Sequence, residues 1–117
     1  MPISRGDIFR IRFGETRGHE LRGPHYGLVV QADIYELSTA VVVPLSSSLR
    51  PAPWHVPLKI EGKTTYAIVE QIRVVDIETR LREYIGNIAG TDEMRMIDEE
   101  MALVLGLHPL FEQAGDV

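Results

Sequence analysis

Hydrophobic and polar positions alternate from Ile8 to Phe13: Phe9, Ile11 and Phe13 fall on one face and Arg10 and Arg12 on the other, the period of a half-buried strand. The alternation stops at Gly14. Gly14 to Pro24 carries three glycines, a proline and four charges with no apolar period, which predicts a loop. Compact domains mostly connect their elements with about four to six residues, so an eleven-residue polar loop points to function.

Tyr26 to Gln31 predicts a buried strand, Ala32 to Ser38 a polar bend, and Thr39 to Leu45 the most β-branched strand of the chain. Pro44 cannot donate a ladder hydrogen bond, which predicts a bulge or strand end, with Ser46-Ser47-Ser48 leaving the sheet. Trp54, Val56, Leu58 and Ile60 alternate with His55, Pro57 and Lys59, then turn through Glu61-Gly62-Lys63 into Thr64 to Ile68. Val69 to Val75 reads as further strand and Tyr84 to Ile88 as a short last one. A single segment reads as helix: Thr91 is a fair N-cap, Asp92 and Glu93 put charge on the first turn, Met94, Ile97 and Met101 recur at helical spacing, and Gly106 ends it. The pattern predicts one domain over 1–117: mainly β, five to seven strands in a small, strongly bent antiparallel barrel, closed by a C-terminal helix.

Composition removes function classes. With 44% hydrophobic residues there is still no apolar run of the roughly 18 residues a membrane helix needs, so no membrane partner is expected. The start resembles no secretory signal, and the expectation is a cytoplasmic protein. Zero cysteines exclude disulfides, thiolate metal sites and cysteine nucleophiles together. The net charge of −5 argues against a broad basic coat for nucleic acid. It is unevenly spread: residues 1–58 hold six arginines (Arg50 among them) against five acids, and residues 59–117 six basic against twelve acidic residues. A narrow basic groove between the Gly14–Pro24 and Ser46–Pro53 loops is therefore expected.

Candidate chemistry sits on those loops. His19 and His25 are separated by a glycine-containing loop and no paired ligand spacing occurs, so neither a metal nor any other cofactor is expected. Gly62-Lys63-Thr64 has the letters of a phosphate loop but lies between two strands. What remains is Arg17, His19, Glu20, Arg22 and His25 facing Ser46, Ser47 and Ser48. An imidazole, a guanidinium and hydroxyls are the parts that metal-free phosphodiester cleavage needs: a base for the attacking 2′-hydroxyl, an acid for the leaving oxygen, and positive charge for the crowded phosphorus. The same residues fit a plain solvated loop.

Arg5-Gly6-Asp7-Ile8, Gly18-x-Glu20, Val41-Val42-Val43-Pro44-Leu45-Ser46-Ser47, Val69-Glu70-Gln71-Ile72-Arg73-Val74-Val75-Asp76, Ile85-Gly86 and Met94 to Leu107 resemble, in order and spacing, the MazF/PemK family of toxins from toxin–antitoxin pairs. The resemblance covers about residues 5–107 and leaves 108–117 as a tail. It implies a CcdB/PemK-like (SH3-like) barrel, a homodimer, and an endoribonuclease (mRNA interferase) that cuts single-stranded RNA at short sequences without metal, leaving a 2′,3′-cyclic phosphate and a 5′-hydroxyl. It also implies a cognate MazE-like antitoxin. The family's catalytic arginine, in an Arg-Pro pair after the loop, falls on His25-Tyr26, and its catalytic threonine falls on Ser46.

Three readings of His25 follow. It acts as general acid or base; or Arg22 reaches the phosphate in its place; or turnover is lost and the chain binds RNA or antitoxin without cutting. Catalytic roles are thus expected of His25, Ser46 and Arg22, and RNA contacts of Arg17, His19, Glu20, Ser47 and Gln71, although Gln71 equally suits a bond to barrel backbone. A different class, a CcdB-like gyrase-binding toxin, shares the fold, but the ending Leu107 to Val117 lacks the aromatic dipeptide associated with it. Trp54 reads more simply as packing than as a base stack, and Met94, Met96 and Met101 as a core or dimer stripe.

Overall fold

Among the described residues seven strands, all paired antiparallel, form one sheet: β1 (Asp7–Arg12), β2 (Pro24–Val29), β3 (Thr39–Ser46), β4 (Val56–Ile60), β5 (Lys63–Ala67), β6 (Arg73–Asp76) and β7 (Leu81–Asn87). The structure, a computed structural model, describes residues 2–34, 36–48 and 52–107. Arg50, positions 49–51 of the expected groove wall and the 108–117 tail lie outside the described residues. The sheet order is β4-β5-β3-β2-β1-β7, with β6 also on β3. The described residues also form two α-helices, α1 (Ile77–Arg80) between β6 and β7 and α2 (Asp92–Val104) after β7. The expected mainly-β, bent antiparallel sheet with a C-terminal helix is what forms.

Pro44 explains how β3 serves two partners on one side. Thr39 to Val42 pair with β6, while Leu45 and Ser46 pair with Ala67 and Tyr66 of β5. Pro44, between them, offers a carbonyl but no N–H, and Ile68 donates to that carbonyl at 2.9 Å. The chain leaves the ladder there, makes a 3-10 turn at Val69–Gln71, and rejoins β3 at Arg73. The strand expected from Val69 to Val75 is therefore a turn followed by a shorter strand, and Pro44 lies inside β3.

The second departure is α1, a four-residue helix capped by Asp76, whose carboxylate accepts from the Thr79 N–H at 2.8 Å and hydroxyl at 2.7 Å. It returns the chain to β7 at Leu81, three residues before the expected Tyr84.

Both faces of the sheet are covered. Ile8, Leu28, Val43, Leu45, Val56, Leu58 and Ile60 pack under α2 with Met94, Ile97 and Met101. Phe9, Ile11, Phe13, Val29, Ala40, Val42, Val75 and Leu81 form a second cluster, joined by Ile3 and Ile77. This two-sided burial is why β3 reads as an almost unbroken apolar run. Burying the three α2 side chains contributes roughly 1.5–3 kcal/mol each. The helix starts where the Thr91 hydroxyl accepts the Met94 N–H, and ends at Gly106, whose φ of +72° lets Leu107 donate back to the Ala102 carbonyl.

Arg5-Gly6-Asp7 fastens these layers. Arg5 forks onto Asp98 of α2 with contacts of 2.5 and 3.2 Å and donates to the Val30 carbonyl. Asp7, buried, accepts from the Ser4 N–H and the Asn87 amide. Gly6 has φ +93°, and a Cβ there would stand 2.8 Å from the Ala89 nitrogen.

Candidate active site

The β1–β2 register sets His25 opposite Ile11, one residue beyond the last β2–β3 pair, Tyr26 with Leu45. The strand predicted from Tyr26 starts at Pro24, so His25 is held by a strand. The next position along β3 is Ser46, so His25 and Ser46 occupy the same end of the β2–β3 pair. The imidazole is half-buried and tilted against Phe13, with ring centroids 6.5 Å apart. Burial pushes its pKa below the ordinary 6.5, and the Arg22 backbone beside it pulls weakly the other way. The ring is therefore neutral at pH 7 and can accept a proton.

A pocket of about 270 Å³ opens here, lined by Arg10, Pro24, His25, Tyr26, Leu45 and Ser47. Ser47, exposed, contributes to the pocket; Ser46 is only 1% exposed. Its hydroxyl lies 3.1 Å from the Ser48 hydroxyl and accepts the Ser48 N–H at 3.2 Å, so it shapes the exit from β3. Arg17 and Arg22 are exposed on the β1–β2 loop and form no ion pair among the described residues. His19 and Glu20 are exposed on the same loop, and Glu20 borders a second hollow beside Glu70, Gln71 and Arg73. Gln71 ties that loop down: its amide oxygen accepts the Leu21 N–H at 2.5 Å and its amide nitrogen donates to the His19 carbonyl at 3.0 Å.

Two features were not singled out from sequence. Arg10 and Tyr26 form the pocket's outer wall, the guanidinium 4.9 Å above the phenol ring. Both reach Glu61 in the β4–β5 turn, Arg10 at 2.7 Å, and Arg10 also reaches Glu83 at 2.8 Å. The hydrogen bond to Glu83 raises the Arg10 pKa, and the hydrogen bond to Glu61 raises that of Tyr26, which stays a phenol. Arg10's outward place on β1 was visible; that Glu61 would fold back onto it was not. The other is His55, whose side chain is 6% exposed. Its Nδ1 accepts the Ala52 N–H at 3.1 Å and its Nε2 lies 2.9 and 3.0 Å from the Glu70 carboxylate. An Nδ1 that accepts leaves the ring proton on Nε2, so His55 donates to Glu70. Burial would raise the Glu70 pKa, but the bonds from His55 and its own backbone, with a smaller contribution from Trp54, hold it below the usual value.

Residues 4–105 match the model of the PemK-like, MazF-like toxins of type II toxin–antitoxin systems. This chain belongs to that family. Among its relatives, Rv3098A of Mycobacterium tuberculosis is 33% identical over 106 residues, covering 90% of this chain and 99% of its own. The endoribonuclease toxin ChpB of Escherichia coli is 34% identical over 92 residues, 72% of this chain and 78% of its own. In fold, MazF of Deinococcus radiodurans superposes with a TM-score of 0.79 at 20% identity, covering 91% of this chain and 98% of that one. A mycobacterial endoribonuclease in complex with its cognate antitoxin gives 0.73 at 23%, covering 90% and 96%. These two likenesses bear on the fold alone.

Proposed function

We propose that this protein is the toxin of a type II toxin–antitoxin pair and a sequence-specific, metal-independent endoribonuclease, active in the cytoplasm as a homodimer and inhibited by a MazE-like antitoxin. The observation that carries the reading is the half-buried His25, held neutral at the mouth of a pocket, in a chain whose relative ChpB is named an endoribonuclease.

A neutral imidazole takes the proton of a ribose 2′-hydroxyl, whose oxygen attacks the adjacent phosphorus. The bond to the 5′-oxygen breaks, that oxygen takes up a proton, and the products are a 2′,3′-cyclic phosphate and a 5′-hydroxyl. Arg22 and Arg17, on the loop leading into His25, supply positive charge to the phosphate, and Ser47 a hydroxyl. Ser46 acts behind them by fixing the turn that presents Ser47. Metal independence is part of this reading, which assigns the proton transfer to His25 and the positive charge to Arg22 and Arg17. RNA contacts fall to His19 and Glu20, while Gln71 acts on the loop that carries them.

Burial of the Ser46 hydroxyl favours one other reading, an RNA binder without turnover. Primer extension on a long RNA, with and without chelator, separates the two. Discrete stops that persist in chelator support the nuclease; gel retardation without stops supports the binder.

A further inference from the structure

Adjacent side chains of the 3-10 turn reach in two directions. Gln71 holds the β1–β2 loop by two bonds, from the Leu21 N–H and to the His19 carbonyl. Glu70 holds the segment entering β4 through the His55 imidazole, which itself holds Ala52. The turn stands on β3, where Ile68 binds Pro44, two residues before Ser46. The β1–β2 loop leads through Pro24 into His25, both of which line the pocket, while Glu20 of that loop lines the neighbouring hollow together with Glu70, Gln71 and Arg73. Arg73 adds a third tie, donating to the Leu21 carbonyl at 3.0 Å.

We infer that Glu70 and Gln71 are positioning residues for RNA cleavage: a two-armed brace that sets the spacing between the loop bearing Arg17 and Arg22 and the segment entering β4. The inference rests on the nuclease reading above. Its physical basis is that Gln71 spends both ends of its amide on backbone, one acceptor and one donor, which fixes the loop's direction as well as its distance. Glu70 meets a histidine of fixed tautomer, so its arm has one geometry. A displacement of about 1 Å between reacting groups costs up to roughly a hundredfold in rate, so releasing either loop acts on turnover more than on folding.

The test compares Gln71→Met, which keeps the length and loses both bonds, and Gln71→Glu, which keeps an acceptor for Leu21 and sets an anion against the His19 carbonyl. Two quantities are measured: hydrogen exchange at the Leu21 amide, and kcat and KM on a short RNA carrying a mapped cleavage site. Expected are faster Leu21 exchange in Gln71→Met, Leu21 exchange kept in Gln71→Glu, and a kcat lowered roughly tenfold to a hundredfold in both variants, with thermal unfolding little changed. Glu70→Gln, which still accepts from His55, is expected to keep kcat within about threefold, and Glu70→Ala to lose it as the Gln71 variants do. Unchanged Leu21 exchange in Gln71→Met overturns the brace, as does faster exchange there with wild-type kcat. The exchange arm uses no RNA, so wild-type protein that cuts no RNA overturns the nuclease reading while the brace is still decided by Leu21.

Discussion

Arg10, which lines the pocket, meets Glu61 at 2.7 Å, joining β1 to the tip of the β4–β5 hairpin. Glu61 reaches there from a φ of +51° and Gly62 from +79°, the two left-handed positions of a two-residue hairpin turn between Ile60 and Lys63. Asparagine or glycine suits the first of these better than glutamate does, since a side chain there costs about 1–2 kcal/mol. An exposed ion pair returns about 1 kcal/mol at most. Glu61→Gly is therefore expected to leave stability to urea unchanged or slightly raised. It should also lower the Tyr26 pKa toward 10, because the bond to Glu61 is the chief cause of its rise. Ultraviolet titration of the tyrosines, with Tyr26→Phe as the assignment, checks both directions.

The His25 pKa gives the pH dependence its sign. Its folded value is depressed by burial, so the neutral, proton-accepting ring persists below pH 6.5. The acid limb of kcat/KM is expected to have its midpoint below 6.5, and the His25 ring signals in an NMR titration to move with the same midpoint. By linkage, the stability tied to neutral His25 is fully present above 6.5 and is lost as pH falls through the folded value.

Gly6→Ala tests the fastening at the start of β1. A methyl group at φ +93° would stand 2.8 Å from the Ala89 nitrogen, 3.0 Å from its Cβ and 3.1 Å from its Cα. The expected cost is about 1–3 kcal/mol, read as a lower urea midpoint. Because Arg5 and Asp7 flank it, the strongest local effect is expected in hydrogen exchange at Asn87 to Ala89.

The elements with a clear pattern were legible: β1, the β4–β5 hairpin and α2 carry their period in the sequence, β2 and β3 their apolar runs, and the exposed loop between β1 and β2 its glycines and charges. The 3-10 turn at Val69–Gln71 was not, because the residues around it are β-branched and the break comes from Pro44 on another strand, a tertiary cause. Ser46 was placed correctly in sequence but not in space: it ends a strand whose partner β5 buries it, leaving Ser47 to face the pocket. Gln71 had two readings from sequence, and its bonds to His19 and Leu21 match the backbone one.

Thr91→Ala separates the helix from the site. The Thr91 hydroxyl caps α2 at Met94, and its loss is expected to cost about 1 kcal/mol in urea unfolding. RNA cleavage at 25 °C should be unchanged, since no pocket residue lies on α2.

The central claim is that His25 performs proton transfer on RNA. Its most direct test is the single-turnover cleavage rate of a mapped RNA site, in chelator at pH 7.5, for wild type and His25→Ala. Removing a positioned acid–base group typically costs about 10²–10⁴-fold. The account predicts a loss in that range, with 5′-hydroxyl and 2′,3′-cyclic phosphate ends from the wild type; His25→Ala cutting at the wild-type rate would contradict it.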